Sequence, residues 1–232
     1  MGQRIQIICG HYGCGKTNLS INLAIAHRKK TLAPTVLVDL DLVNPYFRSS
    51  EYAAHLTAQG IRLIAPGFAG TTLDSPSISP ELYSVLGSSQ ETVFLDTGGD
   101  DAGIIALGGF RRQIEEAGYR MMYVVNRYRV RSQTPEEAAV LLDEIQRASG
   151  LEVTGIVNNS HLGKETDWET IRRAMPFGEE TAALCGKPLL YHTFPAVLEE
   201  TEGIPDFVRN GGTALKSVRR YVTFPWEQEE QR

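Results

Sequence analysis

Cysteine is scarce in this chain: three residues, Cys9, Cys14 and Cys185, in 232, with no C-x-x-C pair among them. An odd and scattered set excludes a disulfide framework, a thiolate zinc site or an iron–sulfur carrier, and fits reduced thiols. Long apolar runs are missing too. The longest are five residues, Met121 to Val125 and Ala138 to Leu142, against roughly 18 for a membrane-spanning helix, so no integral membrane segment is expected. Nor is there an excess of positive charge: 23 Lys and Arg face 28 Asp and Glu, a net charge of -5. A generally basic nucleic-acid binder is therefore disfavoured, and 42% hydrophobic with 22% charged residues is globular composition and excludes disorder.

The amino-terminal strand is broken by Gln6 and too short for the apolar region of a signal peptide; the same Gln6 stands where a myristoylation motif needs Ser or Thr. A cytoplasmic location is expected. Short β-rich runs alternate with helical patterns along the chain. Strands are predicted at Arg4 to Cys9, Thr35 to Asp39, Arg62 to Ile64, Thr92 to Asp96, Arg120 to Val125, Val153 to Asn158 and Leu189 to Phe194. Helices are predicted over Lys16 to Arg28, Pro135 to Ala148 and from Trp168 onward. This alternation specifies a three-layer α/β fold, a mainly parallel seven-stranded sheet with helices on both faces, in a single domain over residues 1–232. Ligands then bind at the carboxyl ends of the strands.

Two Thr-x-x-Glu capping boxes mark helix starts, at Thr134 with Pro135 behind it and at Thr166. Residues Pro66 to Pro80 form the only long Pro/Gly/Ser/Thr-rich connection and read as a mobile or functional loop. The tail Thr213 to Val222 carries Leu215, Val218 and Val222 at helical spacing and reads as a surface helix docked on the domain. Its anchors are too few, and the end beyond Pro225 too acidic, for a membrane helix.

The strongest signal is Gly10-His11-Tyr12-Gly13-Cys14-Gly15-Lys16-Thr17, which matches G-x-x-x-x-G-K-[ST] between a predicted strand and a predicted helix. Shuffling this composition would produce the pattern about 0.007 times per chain, before any demand on its flanks. The spacing has a physical purpose. Glycines let the backbone wrap an anion, N–H groups from Gly10 through Asn18 and the helix N-terminus point at phosphate oxygens, Lys16 neutralises the β and γ phosphates, and the Thr17 hydroxyl reaches Mg²⁺. Cys14 inside this loop reads as a small filler, Cys9 as strand core and Cys185 as a helix-end residue.

Two strands end in carboxylates at the same predicted sheet edge: Val38-Asp39-Leu40-Asp41 and Leu95-Asp96-Thr97-Gly98-Gly99. A Mg²⁺-nucleotide site needs carboxylates near the metal and its waters, and one group to orient the attacking water. Asp96 is assigned to the metal, Asp39 to the metal-bound waters and Asp41 to the water. No N-K-x-D guanine motif follows the late strands; the sixth ends at Asn158-Asn159, whose amides can read an adenine edge.

The loop GHYGCGKT, the strand end VDLDLVNPYFRSSE and the segment VFLDTGGDDAG resemble the MinD/ParA-type ATPases, in the SIMIBI class of P-loop NTPases, and their CobQ/CobB-like relatives, over about Arg4 to Phe194. The resemblance implies ATP and Mg²⁺, slow hydrolysis to ADP and phosphate, and a nucleotide-linked homodimer acting on a protein partner. It also implies switches at Asp39 to Arg48 and Asp96 to Asp101, Asp41 as the switch carboxylate, Asp96 as the Walker B aspartate, and Asn158, then Asn159, at the base. Phosphate transfer to a small molecule, as in dethiobiotin synthetase, is the alternative, as is a nucleotide-binding module without useful hydrolysis.

One departure stands out. The family's loop begins K-G-G-x-G-K-[ST], with a first lysine that reaches the partner's phosphates, and that position here is His11. In a dimer the charge would then come from His11 or from the Arg127, Arg129 and Arg131 loop, which otherwise reads as a solvated face.

Overall fold

The computed structural model describes residues 3–41, 50–65, 80–99, 101–210, 212 and 214–222. The predicted long loop at Pro66 to Pro80, but for Pro80 itself, and most of the first predicted switch lie outside them. The seven predicted strands are present: β1 (Ile5–Cys9), β2 (Thr35–Leu40), β3 (Ile61–Ile64), β4 (Thr92–Thr97), β5 (Tyr119–Val125), β6 (Gly155–Asn158) and β7 (Leu189–Pro195). They join an eighth, β8 (Leu215–Val218), in one sheet of order β3-β2-β4-β1-β5-β6-β7-β8, and every adjacent pair is parallel.

Alternation along the strands sorts side chains onto two cores. Ile5, Ile7 and Cys9 of β1 and Met121, Tyr123 and Val125 of β5 face the larger core. That core is closed by α3 (Pro80–Gly87), α4 (Asp101–Gly108), α5 (Arg111–Ala117), α6 (Pro135–Ser149) and α7 (Trp168–Leu184). Ile8, Met122 and Val124 face the other core, covered by α1 (Lys16–Thr31) and α2 (Ser50–Ala58). Helices on both faces explain why the central strands carry near-continuous apolar runs. Short helices α8 (Ala196–Glu202) and α9 (Asp206–Asn210) lead from β7 to β8.

The caps hold with one shift. Thr134 accepts from the Glu137 N–H while Glu137 reaches back to the Thr134 N–H, with Pro135 in the first turn. At α7 the cap is Asp167 rather than Thr166: Asp167 Oδ1 accepts from the Thr170 N–H at 2.7 Å. The Thr166 hydroxyl instead accepts from the Leu162 N–H and donates to the Gly163 carbonyl. The carboxylate is the stronger acceptor beside a helix N-terminus, so it takes the cap.

The predicted surface helix at Thr213 to Val222 is a correction. Its centre is β8, because the edge of β7 offers unpaired backbone: the His192 N–H donates to the Ala214 carbonyl at 2.9 Å, and His192 to Pro195 pair with Leu215 to Val218. Leu215 packs with Phe194 and Leu198 on one side of the sheet, and Val218 joins the α1 side on the other. Beyond β8 the chain lies along α1. Asn22 Nδ2 donates to the Arg219 carbonyl at 2.7 Å and Asn22 Oδ1 accepts from the Arg219 N–H at 2.9 Å. Asn18 Oδ1 accepts from the Tyr221 N–H at 2.8 Å. An Asn22→Ala variant loses both of its bonds to Arg219, partly exposed, and should cost about 0.5–1.5 kcal/mol in chemical denaturation. Hydrogen exchange at the Arg219 amide should rise with it; unchanged protection there would show that the Asn22 bonds do not hold this segment.

Candidate phosphate-binding site

The loop leaves β1 at Gly10 and enters α1 at Lys16. Gly15 is the residue before the helix, left-handed with φ 88°, and a Cβ there would run into the Asn159 carboxamide. Glycine is therefore required twice over, by backbone and by space. Gly99 is required by approach: a Cβ on it would lie 2.6 Å from the Tyr12 Cα, so the chain after β4 rests directly on the phosphate loop. In the first turn of α1 the N–H groups of Lys16, Thr17 and Asn18 have no carbonyl within the helix to receive them. No acidic side chain occupies that turn, whereas Arg28, Lys29 and Lys30 occupy the last. The helix thus keeps its positive end open to an anion.

Lys16 is buried, and its Nζ donates to the His11 carbonyl at 3.1 Å, holding the ammonium within the loop. On the other side, the Thr17 hydroxyl is near enough to Asp96 to favour its charged form, and Ser20 Oγ donates to Asp96 Oδ1 at 3.2 Å. Asp39 and Asp96 are register partners on β2 and β4. Asp39 Oδ1 accepts from the Asp41 N–H at 2.9 Å, and Asp41 is near enough to act electrostatically on both buried carboxyls. Burial, and then mutual repulsion, push the Asp39 carboxyl up, and burial pushes up Asp96 against the pull of Lys16. Two carboxyls short of positive charge beside a Thr hydroxyl fit a divalent cation. Among the described residues no cluster of three or more His, Cys, Asp or Glu forms a metal site by itself. Mg²⁺ here would therefore need phosphate oxygens and water among its ligands.

The strand-end amides turn inward. Asn158 Nδ2 donates to the Ala174 carbonyl at 2.8 Å and to His192 Nδ1 at 2.9 Å, while Asn158 Oδ1 accepts from Ser160 Oγ at 2.6 Å. Both amide protons are committed, and reading a base with this side chain would break buried bonds. Asn159 Nδ2 donates to the Cys14 carbonyl at 2.7 Å, and its Oδ1 accepts from Thr193 Oγ1 at 2.5 Å, so it braces the phosphate loop against β7. The side chain of Asn18 is spent on the chain after β8. Sequence reasoning did not single out Ser20, Ser160, His161 or Thr193, because each acts through neighbours remote in sequence. Cys14 is buried in the α1-side core and burial pushes its thiol up, as a filler requires.

The cationic candidates separate. Burial, Arg131 and Lys16 together lower the His11 pKa, which favours the neutral ring. Arg127 donates to the Arg173 carbonyl at 2.8 Å, and Arg131 lies 3.9 Å from Glu144. Arg129 lies against the loop at Gly13.

No protein-family model matches the sequence, and no curated protein does. Solved structures do match in fold. The cell division protein FtsY from Thermotoga maritima aligns with a TM-score of 0.52 at 16% identity, over 83% of this chain and 62% of that one. FtsY from Mycoplasma mycoides gives 0.53 at 13%, over 83% and 61%, and FlhF complexed with GTP and Mg²⁺ gives 0.50 at 14%, over 83% and 66%. This chain thus spans less than two thirds of their length. What these structures share with this chain is the fold, a parallel sheet with helices on both faces.

His192 supplies a pH signature. Its Nδ1 accepts from Asn158, and burial lowers its pKa to about 4. Its ordinary value is near 6.5, so the neutral ring contributes stability that is complete above pH 6.5 and is lost as pH falls toward 4. The loss attributable to this ring is about 3 kcal/mol. A His192→Gln variant, measured by denaturant titration between pH 7 and 4, should show a shallower decline than the wild type; an identical decline would remove His192 from it.

Proposed function

We propose that this chain is a Mg²⁺-dependent ATP-binding switch of the MinD/ParA type, hydrolysing ATP slowly, dimerising with nucleotide and acting on a protein partner in the cytoplasm. The single observation that supports it best is the complete phosphate loop with Thr17 near Asp96, and with Asp39 paired to Asp96 across β2 and β4. In this reading the loop amides and Lys16 hold the phosphate chain, and Thr17 with Asp96 and Asp39 holds the cation and its waters. When bound, Mg²⁺ supplies charge neutralisation across the β and γ phosphates. Asp41, whose N–H is fixed by Asp39, orients the attacking water.

The choice of ATP rests on the end of β6. FlhF has been solved with GTP, but here the chain reads Asn158-Asn159-Ser160-His161, with no carboxylate to receive the donors of guanine. The adenine would meet the loops after β6 and β7, with Asn158 and Asn159 shaping them. A second reading, phosphate transfer to a small molecule, is favoured by a groove of about 660 Å³ on the same sheet edge, between Arg127, Tyr128 and the start of α7.

Two variants test the proposal. Lys16→Ala should lower ATP affinity by at least tenfold in calorimetry; wild-type affinity would overturn the site, and tighter binding of GTP than ATP would overturn the base assignment. Asp41→Ala should keep ATP affinity within about threefold while lowering turnover by roughly 10² or more. It should also accumulate as an ATP-bound dimer in light scattering. Turnover stimulated only by an added small-molecule acceptor would instead favour the groove.

A further inference from the structure

The β5–α6 loop is built more tightly than a solvated connection needs. Asn126, fully buried, accepts from the Tyr128 N–H through Oδ1 at 3.0 Å and donates through Nδ2 to the His161 carbonyl at 3.3 Å. Its own carbonyl accepts from the Arg129 N–H at 3.1 Å and from Ser132 Oγ at 2.9 Å. The Arg127 N–H donates to Ser160 Oγ at 3.0 Å, and the Tyr128 hydroxyl donates to the Thr170 carbonyl at 3.0 Å. Arg131 is left-handed, φ 69°, a conformation that costs a non-glycine residue about 1 kcal/mol. Every one of these features fixes the position of residue 129.

The Arg129 side chain is laid on the phosphate loop. A Cβ built at Gly13 would sit 3.6 Å from both its Cδ and its Nε. That Nε is buried and has no hydrogen-bond partner, and a buried guanidinium N–H left unmade is costly. His161 lies beside Gly15; burial first, and then nearby Arg129 and Arg220, lower its pKa. The loops after β5 and β6 therefore bring Arg129 and His161 to the rim that runs from Gly13 to Gly15.

We propose that Arg129 is a phosphate ligand supplied by the same chain: its guanidinium, held over Gly13, donates to an oxygen of the nucleotide's phosphate chain. The assignment rests on the nucleotide reading of the loop, but it concerns phosphate and is indifferent to the base. Arginine suits it, because its planar fork keeps charge and geometry at any physiological pH.

The test is calorimetry of the full chain with Mg·ATP and Mg·GTP in parallel, at low and moderate salt. For whichever nucleotide binds, Arg129→Gln should weaken affinity by about tenfold to a hundredfold and flatten its dependence on salt. Arg129→Lys should keep the salt dependence while losing part of the affinity. Arg127→Gln, changing the neighbour that faces α7, should match the wild type. If Arg129→Gln binds as tightly as wild type while Lys16→Ala has lost binding, the proposal fails and the phosphate site stands. If Lys16→Ala also binds normally, both fail. A weakened Arg129→Gln that retains the wild-type salt slope, or an equal loss in Arg127→Gln, would mean that only the loop's shape had been disturbed, and would also overturn the assignment.

Discussion

A single buried carboxamide, that of Asn159, ties together the parts on which the site depends. It stands at the end of β6, donates to the Cys14 carbonyl inside the phosphate loop and accepts from Thr193 on β7. Removing either partner would leave a buried polar group unsatisfied, which costs more than the bond itself contributes. The glycine at position 15 follows from this contact, since any side chain there would occupy the amide's place. The loop's shape is thus set jointly by its own glycines and by a residue more than a hundred positions away. The parallel sheet makes that meeting possible, because it brings the ends of β1, β6 and β7 to one edge.

Charge is divided across this edge. On the β2–β4 side, Asp39, Asp41 and Asp96 crowd one another, and burial holds the first and last toward their protonated forms. On the β5–β6 side, Arg129 and His161 border the loop, with Arg220 acting on His161 from the chain after β8. A ligand that carries phosphates toward the basic rim and a cation toward the carboxylates meets both needs at once. Neither half is satisfied within the protein: Arg129 Nε has no partner, and the two buried carboxyls repel each other.

What the sequence made legible was local. The phosphate loop could be read because its chemistry lies within eight consecutive residues, and the strands because their apolar runs match a sheet covered on both faces. The Thr134 cap was legible for the same reason. At Thr166 two acceptors sat side by side and the carboxylate prevailed. The tail was misread because Leu215, Val218 and Val222 satisfy a helical spacing as well as a short strand does. What decides between them is the open edge of β7, a partner that no window of the sequence contains. Asn158 and Asn159 show the same limit at the site: their position at a strand end was legible, but not that one would anchor α7 and the other the phosphate loop.

Among the described residues the two sides of the site are held by different means. Behind the basic rim, Asn158 with His192 and Asn159 with Thr193 cross-link β6 to β7, and Asn126 fastens the loop after β5 to the loop after β6. Asn18 and Asn22 bind the chain after β8 to α1. The acidic side instead stores electrostatic repulsion between Asp39 and Asp96, with Gly99 laid on Tyr12 as the contact between the β4 end and the phosphate loop. Binding of a cation with phosphate would relieve that repulsion. The hydrogen-bonded rim has less to gain by moving. A cation bound with phosphate would therefore act first on the carboxylates, and the hydrogen-bonded rim would keep its place.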